Sequence, residues 1–390
     1  MIVRDYDSEV DDFDLAAALR MLEPGNENGL NAAVICCDRH ATDENRVALL
    51  ARSANGESRE WTFTELRQRS EKLAALLASL GVGKGDRVAG LLPRTADLVV
   101  TIFAVWRLGA VYQPLFTAFG PKAIEYRLQE AGTKVVVTDP ENREKISPDV
   151  TIPVINTRKN GADHYFHQDV DPGALPIDPV PCGLDDPFLI MFTSGTTGAP
   201  KPLLVPIRAI AAFMRYMVDG VGLTAEDRFW NLADPGWAYG LYYAVTGPLA
   251  LGFATIFHEG AFTVESMYET IEALNVTCLA GSPTAYRRVA AAGAELASSV
   301  RGRLRTVSSA GEALNPEVIR WFDAHLDVPI RDHYGQTELG MVLCNHHGLS
   351  HPVRVGSAGF PSPGHHLAII SDKLEEMGPG QPGILAVVHG

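Results

Sequence analysis

The sequence predicts an α/β fold, with two successive α/β subdomains followed by a small β-rich subdomain. Three observations carry this prediction. Short apolar segments alternate with amphipathic helical segments, a stretch rich in Pro, Asp and Gly interrupts the alternation, and the chain closes with short apolar segments between Gly and Pro turns. Strands that alternate with helices are typical of parallel sheets whose faces are covered by helices.

The first alternating series lies within residues 45–180, after a predicted amino-terminal arm at 1–44. Thr62 and Glu65 have the spacing of a capping box, and Gly81 ends the helix that follows. Strand, helix, strand, helix and strand are then predicted, in that order, at 87–92, 96–108, 110–115, 121–131 and 134–138.

The second series lies within residues 181–350. Its strands are predicted at 188–192, 254–258, 276–280, 306–309 and 329–333, and its helices at 207–217, 264–274, 283–292 and 316–326. The remaining section, 351–390, is predicted to be an incomplete β-barrel-like subdomain. Because helices and strands alternate in both series, we expect both sheets to be mainly parallel.

Composition excludes several classes of protein. The formal net charge of −14 opposes general nucleic-acid binding. The five cysteines have no CxxC spacing, so buried thiols are expected rather than a zinc site or a disulfide framework. The sequence shows neither a signal peptide nor an apolar stretch long enough to span a membrane, which predicts a reducing, cytoplasmic location.

Residues 191–202, MFTSGTTGAPKP, predict a phosphate-binding loop after an apolar strand. Glycines allow a close backbone approach, hydroxyls add donors, and Lys201 supplies a positive charge. The order of residues is not that of a Walker A loop, and neither this loop nor residues 81–85 have a dinucleotide-binding pattern. A solvated polar loop is the alternative interpretation.

Four segments, in order along the chain, resemble the signature motifs of the adenylate-forming superfamily of AMP-binding enzymes. They are the 193–201 loop, DPGWAYG at 234–240, SAGEAL at 309–314 and YGQTE at 334–338. The second motif, together with residues 106–120, resembles the acetyl-CoA and medium-chain acyl-CoA synthetase branch. The resemblance implies the fold of the family's large amino-terminal domain. It also implies a two-step reaction, in which a carboxylic acid and ATP give an acyl-adenylate and pyrophosphate, and coenzyme A then releases AMP.

The resemblance also implies roles for individual residues. Those assigned to the ATP phosphates are Thr193, Ser194, Gly195, Thr196, Thr197, Gly198 and Lys201. Those assigned to adenine are Gly311, Glu312, Ala313, Asp332, His333 and Tyr334. Thr337 is expected on the α-phosphate and Glu338 on Mg²⁺, so that Lys201, Thr337 and Glu338 form the catalytic set.

The acyl pocket implied by the resemblance comprises Trp237, Ala238, Tyr239, Ala310 and Gly335. Acetate-specific relatives have Trp where this chain has Gly335. Losing an indole leaves space in a close-packed site, so medium-chain, branched or aryl acids are expected to fit better than acetate. The alternative is that another side chain, such as Tyr239, refills the space. A Gly335→Trp variant is expected to lose long acids and keep short ones.

For coenzyme A, the resemblance points weakly to Phe116, Thr117 and Ala118. The sequence departs from the family pattern at Pro202, where a glycine is usual. It ends at Gly390, before the positions of the family's ribose-binding aspartate and mobile carboxy-terminal domain. The chain is therefore expected to be a truncated ligase that is impaired alone, and a monomer or homodimer. The alternatives are a non-catalytic nucleotide- or acyl-binding module and an enzyme that loads a carrier protein.

Overall fold

Two large sheets form the framework of the chain. The computed structural model describes residues 3–159, 163–166, 177–193 and 198–388. The strands are β1 Arg4–Asp5, β2 Val47–Arg52, β3 Ser58–Thr62, β4 Arg87–Leu91, β5 Val111–Pro114, β6 Thr133–Thr138, β7 Val154–Asn156, β8 His164–Tyr165, β9 Pro187–Thr193, β10 Lys201–Pro206, β11 Phe229–Asn231, β12 Thr255–His258, β13 Cys278–Gly281, β14 Thr306–Ser309, β15 Ile330–Gln336, β16 Gly340–Cys344, β17 Leu349–Ser350, β18 Phe360–Pro361, β19 His366–Ile370 and β20 Ile384–Val388.

Helices lie between most of these strands. The α-helices are α1 Tyr6–Asp11, α2 Leu15–Arg20, α3 Ala32–Cys36, α4 Phe63–Ser79, α5 Ala96–Arg107, α6 Pro121–Glu130, α7 Pro140–Arg143, α8 Ala209–Asp219, α9 Ala238–Gly240, α10 Gly247–Ala250, α11 Val264–Ala273, α12 Pro283–Ala291 and α13 Pro316–Leu326. A π-helix, Leu241–Thr246, joins α9 to α10, and short 3₁₀ turns occupy Asp38–His40 and Leu296–Ser299.

Parallel pairing dominates both sheets, as the alternation of elements predicted. The seven-stranded sheet has the order β10-β9-β5-β4-β6-β7-β8, in which only β10 is antiparallel to its neighbour. The nine-stranded sheet has the order β18-β16-β15-β14-β13-β11-β12-β2-β3. Its strands from β15 to β2 are parallel, and antiparallel strands flank them on both sides. The predicted α/β fold class is therefore confirmed.

The two sheets interleave along the chain. Strands β2 and β3 precede the first parallel series but join the nine-stranded sheet, whereas β9 and β10 join the seven-stranded sheet. Each large sheet therefore takes strands from both sides of residue 180. The boundaries at 44, 180 and 350 remain a prediction about domains.

The predicted local signals form as expected at the start of α4. The Glu65 amide donates to the Thr62 hydroxyl at 3.2 Å, and the Thr62 amide donates to the Glu65 carboxylate at 2.9 Å. This reciprocal pair satisfies two amides that a helix otherwise leaves free. Gly81 follows the helix at φ 83°, a conformation that favours glycine.

One large apolar core joins α3, α4 and α5 to strands of both sheets. Every residue of helix α5 except Asp97 in its first turn is buried, so the helix has no continuous polar face. Its last residue, Arg107, is 1% exposed and donates to the Asp38 carboxylate at 2.7 Å. All five cysteines lie in the described part and are buried, unbridged thiols, as predicted.

The section after residue 350 is β-rich but small. Strands β19 and β20 form an antiparallel pair, and β18 adds to the edge of the nine-stranded sheet. Within residues 351–388 the described strands form no closed barrel. No helix among the described residues is both long and apolar enough to cross a membrane.

Candidate active site

A cavity of about 630 Å³ brings together four parts of the chain that are far apart in the sequence. We call it the site cavity. Its lining includes all five residues predicted for the acyl pocket: Trp237, Ala238, Tyr239, Ala310 and Gly335. Gly311, Glu312 and Thr337, predicted on the nucleotide side, line the same cavity. The two predicted subsites therefore adjoin in one concave space.

The topology of the nine-stranded sheet explains why these segments meet. Ala310 follows the carboxyl end of β14, Gly335 lies near the carboxyl end of β15, and Ser282 follows β13. These strands are neighbours and run parallel, so their carboxyl ends share one edge of the sheet. Open α/β sheets typically bind ligands at that edge.

Trp237 forms an exposed aromatic wall of the site cavity. Its ring centroid lies 5.7 Å from Phe116 and 5.6 Å from Phe119, and 46% of its surface is exposed. Gly236 allows this contact, because a Cβ there would lie 2.7 Å from the Phe116 Cα atom. Phe116, predicted for coenzyme A, is thereby placed against the predicted acyl wall.

The other two residues predicted for coenzyme A follow Phe116 on the same loop. Thr117 is half-buried, and its carbonyl accepts from the Lys145 ammonium. Ala118 is exposed. The loop is thus anchored through its backbone, and the Ala118 side of it faces solvent.

Two tyrosines that the sequence analysis missed also line the site cavity. The Tyr242 hydroxyl donates to the Thr337 carbonyl at 3.2 Å, and the Met341 amide donates to the Tyr243 hydroxyl at 3.1 Å. With Tyr239 they have the i, i+3, i+4 spacing of one helical face, which was the available signal. They sit on or beside the π-helix, an irregularity that is frequent at functional sites.

Gly335 lies in a more crowded place than the sequence suggested. A Cβ at Gly335 would lie 2.2 Å from the Gly340 carbonyl oxygen and 2.8 Å from the Met341 sulfur. Met341 is its partner across the antiparallel β15–β16 pair, so the thioether covers the glycine. A Gly335→Trp change would therefore have to displace the Gly340 carbonyl and the Met341 side chain, and its effect on chain-length preference stays a prediction. Met341, not Tyr239, is the side chain that lies over Gly335.

The predicted adenine side has one well-anchored carboxylate. The Glu312 carboxylate accepts from the Thr284 hydroxyl at 2.8 Å and from Arg287 at 2.6 Å. The hydrogen bond from Arg287 and then that from Thr284 lower its pKa. Gly311 has φ 100° and open space where a Cβ would point, while Ala313 is exposed. The site cavity is therefore lined here by the Gly311 backbone and by the Glu312 carboxylate, which its hydrogen bonds hold in place.

Two neighbouring residues predicted to bind adenine, His333 and Tyr334, differ in exposure. The exposed Tyr334 hydroxyl accepts from the Gln336 amide at 3.0 Å. His333 is buried, with Nδ1 2.7 Å from the Tyr216 hydroxyl and Nε2 3.2 Å from the Asn345 carbonyl. The whole residue is 2% exposed, so its ring belongs to the core and not to the surface of the site cavity.

Asp332 is the unusual carboxylate of this region. Its Oδ1 atom is buried and has no hydrogen-bond partner among the described residues. Burial raises the pKa of Asp332 to about 6. A buried acceptor without a donor is costly, and a ligand that donates a hydrogen bond removes that cost.

The predicted phosphate loop lies in sequence between β9 and β10, and these two strands pair antiparallel. Thr193 lies directly opposite Lys201 in the antiparallel pair, and the Tyr126 hydroxyl donates to the Pro200 carbonyl at 3.0 Å. Gly198 and Lys201 are exposed, and Gly198 has φ 147°. Pro202 is tolerated because β10 is the edge strand of its sheet. The predicted contacts of Ser194, Gly195, Thr196 and Thr197 lie outside the described residues.

Glu338, the predicted magnesium ligand, is exposed, and no cationic side chain of the described part pairs with it. The described residues contain no cluster of three or more His, Cys, Asp or Glu side chains arranged to hold a metal. Magnesium is commonly held by one or two carboxylates together with substrate phosphates. A lone accessible carboxylate fits that mode, in which the nucleotide supplies most of the ligands.

Comparison with known proteins agrees with this geometry. Residues 37–389 match the family model described as AMP-binding enzyme. Over 400 residues the chain is 34% identical to an acetyl-coenzyme A synthetase from Bacillus subtilis, an alignment that covers all of this chain and 69% of that protein. The chain spans 58–69% of the length of the curated relatives it matches.

Solved structures give the same assignment. An acyl-CoA synthetase from Brucella canis superposes with a TM-score of 0.94 at 54% identity, covering 98% of this chain and 71% of that one. The anthranilate CoA ligase AuaEII, solved with anthranoyl-AMP, shares the fold with a TM-score of 0.83 at 23% identity, covering 92% and 69%. The family match over residues 37–389 and the Bacillus subtilis relative show that the chain belongs to the AMP-binding, adenylate-forming enzymes.

Proposed function

We propose that this chain carries the nucleotide- and acid-binding site of an ATP-dependent acid–CoA ligase. The observation that supports this most directly is the site cavity, in which Trp237 and Gly335 adjoin Gly311, Glu312 and Thr337. An acyl-adenylate has an acyl end and a nucleotide end joined by one phosphate. A single space of about 630 Å³ lies within the usual range of small-ligand sites.

On the nucleotide side, Asp332 is proposed to accept from the adenine amino group. Its Oδ1 atom is a buried acceptor that lacks a donor. Tyr334 is proposed to stack on one face of the base, because its ring is 38% exposed next to Asp332 in β15. The backbone at Gly311, which is free of steric obstruction, is proposed to cover the other face.

On the phosphate side, Thr337 is proposed to contact the α-phosphate and Glu338 to hold Mg²⁺. Lys201 is proposed to neutralise the terminal phosphates, because it stands exposed at the start of β10 next to the predicted loop. Attack of a carboxylate on ATP is helped by positioning and by neutralisation of developing charge. Coenzyme A is then proposed to release AMP, with the Phe116 loop on its route because it contacts Trp237.

The acid is proposed to be medium-chain, branched or aryl. Gly335 itself adds no side chain at the carboxyl edge of β15, and the aromatic rings of Trp237, Tyr242 and Tyr243 are among the walls of the site cavity. Acetate is the competing substrate, since the named Bacillus relative is an acetyl-coenzyme A synthetase. Buried apolar area would favour the larger acids, by about 0.8 kcal/mol for each methylene group.

Binding of stable acyl-adenylate analogues tests this proposal. We expect acylsulfamoyl-adenosines to bind this chain at one site and more tightly than AMP or the free acid, because they engage both halves of the site cavity. We expect the octanoyl and benzoyl analogues to bind more tightly than the acetyl analogue. Isothermal titration calorimetry gives both the stoichiometry and the affinities.

Trp237→Ala is the matched variant for that titration. It removes the aromatic acyl wall and leaves the nucleotide contacts, so AMP affinity should stay near the wild-type value while acyl-analogue affinity falls about tenfold. Binding of AMP with no gain from any acyl group would favour a nucleotide-binding module without acid recognition. Tightest binding of the acetyl analogue would refute the preference for larger acids.

AMP affinity is expected to weaken as the pH falls from 8 to 5. Burial raises the pKa of Asp332 to about 6, so its ionisation reduces the stability of the unliganded chain as the pH rises through that value. A donor from adenine stabilises the ionised carboxylate, and nucleotide binding therefore favours the higher pH. Titrations at half-unit pH intervals measure the slope, with AMP and with adenosine, which lacks the phosphate group that itself titrates near pH 6.

Asp332→Asn is the control for the pH titration. Asparagine keeps an acceptor oxygen of similar shape but does not titrate in this range. The variant should bind adenosine, which lacks the phosphate group of AMP that titrates near pH 6, with an affinity that is nearly constant between pH 8 and 5. An unchanged pH slope in Asp332→Asn would show that another group controls nucleotide binding.

A further inference from the structure

A second, largely apolar cavity of about 480 Å³ lies next to the site cavity. We call it the helix-side cavity, because its walls come from helices α2 and α8 and from the loop at residues 362–365. Met341 lines both cavities. A single side chain therefore belongs to the wall between the site cavity and this space.

The remaining wall between the cavities is made of fixed aromatic rings. Tyr216 lines the helix-side cavity and Tyr243 the site cavity, with ring centroids 4.4 Å apart. The Tyr216 hydroxyl lies 2.7 Å from His333 Nδ1, and the Tyr243 hydroxyl accepts from the Met341 amide at 3.1 Å. Both rings are held at their polar ends. The unbranched thioether of Met341 is the part of this wall that can change rotamer without breaking a hydrogen bond.

The lining of the helix-side cavity suits a hydrocarbon chain. Leu15, Ala18 and Leu19 from the α2 side face Ala211 and Ala212 of α8. The charged side chains of this cavity are already paired: Arg208 with Asp185, and Arg215 with Asp219 at 2.9 Å. Among the described residues these pairs leave the buried Arg215 Nε atom without a hydrogen-bond partner, and the rest of the surface that the cavity offers is mostly apolar.

We infer that the helix-side cavity is a subsite for the aliphatic tail of the acid, and that Met341 determines how long a tail the chain accepts. This inference rests on the proposed function, since it extends the acid-binding part of the site cavity. Gly335 supports the placement, because the Met341 sulfur lies 2.8 Å from the position of a Cβ there. The tail passes over Gly335, displaces the Met341 side chain and enters the space in front of α2 and α8.

A series of unbranched acylsulfamoyl-adenosines with 2, 4, 8 and 12 acyl carbons tests this inference by calorimetry. In the wild type, affinity should rise with chain length, by up to about fourfold for each methylene group that becomes buried. Met341→Ala should tighten binding of the 12-carbon analogue by about tenfold or more. In each variant the affinity of the 12-carbon analogue is compared with that of the 2-carbon analogue, whose acyl group ends before Met341, so that any general change in the site cavity cancels.

Filling the helix-side cavity from its far wall is the matched control. Ala212 is exposed on α8 and lines that cavity but not the site cavity, so Ala212→Phe should fold normally. It should weaken binding of the 12-carbon analogue by about tenfold and leave the 2-carbon analogue unchanged. When Ala212→Phe is combined with Met341→Ala, the tighter binding of the 12-carbon analogue that Met341→Ala produces should be lost. Ala18→Leu, which approaches from α2, provides a second filling variant, and AMP binding reports whether each protein is folded.

The outcomes separate this inference from the proposed function. If no analogue, including the 2-carbon one, binds the wild type, the proposed function itself fails. If the analogues bind but neither filling variant alters the dependence on chain length, the tail does not enter the helix-side cavity and the inference is overturned.

Discussion

Arg107→Met is expected to lower the free energy of unfolding by about 3–5 kcal/mol, the range for removing one partner of a buried ion pair. Arg107 is 1% exposed at the end of α5, and its guanidinium donates to the Asp38 carboxylate at 2.7 Å. Asp38 is itself only 12% exposed. Burial raises the pKa of Asp38 and Arg107 opposes that rise, so methionine would leave a carboxylate that is neither paired nor hydrated. Urea denaturation followed by tryptophan fluorescence measures the change.

The pH dependence of the loss in unfolding free energy of Arg107→Met identifies the cause of that loss. Without Arg107 the pKa of Asp38 should rise further above its ordinary value of 3.8. The deficit should therefore be largest at neutral pH and shrink as the pH falls through the raised pKa, where the carboxyl group becomes neutral. Arg158→Met is the matched control, because Arg158 and Glu141 form an exposed pair at the surface, and it should cost less than about 1 kcal/mol. An equal loss in both variants would show that the buried charge is not responsible.

The regular part of the fold was predictable because its signals are local. Apolar periodicity located α5, α8, α11 and α13, and the capping pair Thr62–Glu65 located the start of α4. The partition of strands between sheets was not predictable in this way. Which sheet β2 or β9 joins depends on long-range pairing, and a short apolar run fits either sheet equally well.

The site was predictable where a motif marks it and missed where only packing does. Trp237 and Gly335 were found through motifs, and the structure places both on the site cavity. Met341 and Tyr243 were missed because neither belongs to a motif, and their position depends on a cross-strand pair and a π-helix. The consequences of a substitution at Gly335 were also hidden, since they depend on a carbonyl five residues away that a β-turn brings back.

Gly335→Ala is expected to destabilise the chain by about 1–3 kcal/mol or more and to abolish high-affinity binding of acyl-adenylate analogues. The added Cβ would lie 2.2 Å from the Gly340 carbonyl oxygen and 2.9 Å from the carbon of the same carbonyl. A flexible side chain could move away, but this obstacle is backbone in the β15–β16 pair. Forcing extra volume into such a place costs about 1–3 kcal/mol, occasionally more. Thermal unfolding and analogue titration measure the two effects.

Analogue binding should be lost in Gly335→Ala because the displaced backbone belongs to strands that hold residues of the site cavity. Strand β15 leads directly into Thr337, and β16 begins at Gly340 and carries Met341, so separating the strands would move both sides of the site cavity. Gly83→Ala is the matched control: its nearest atom would be 4.0 Å from the added Cβ, it lies in a distant turn, and it should leave analogue binding unchanged. If Gly335→Ala retained wild-type stability and affinity, the β15–β16 pair would have to be flexible enough to admit a side chain. Tryptophan at position 335 would then also be compatible with the fold, and Gly335→Trp would be expected to bind short acids and exclude long ones.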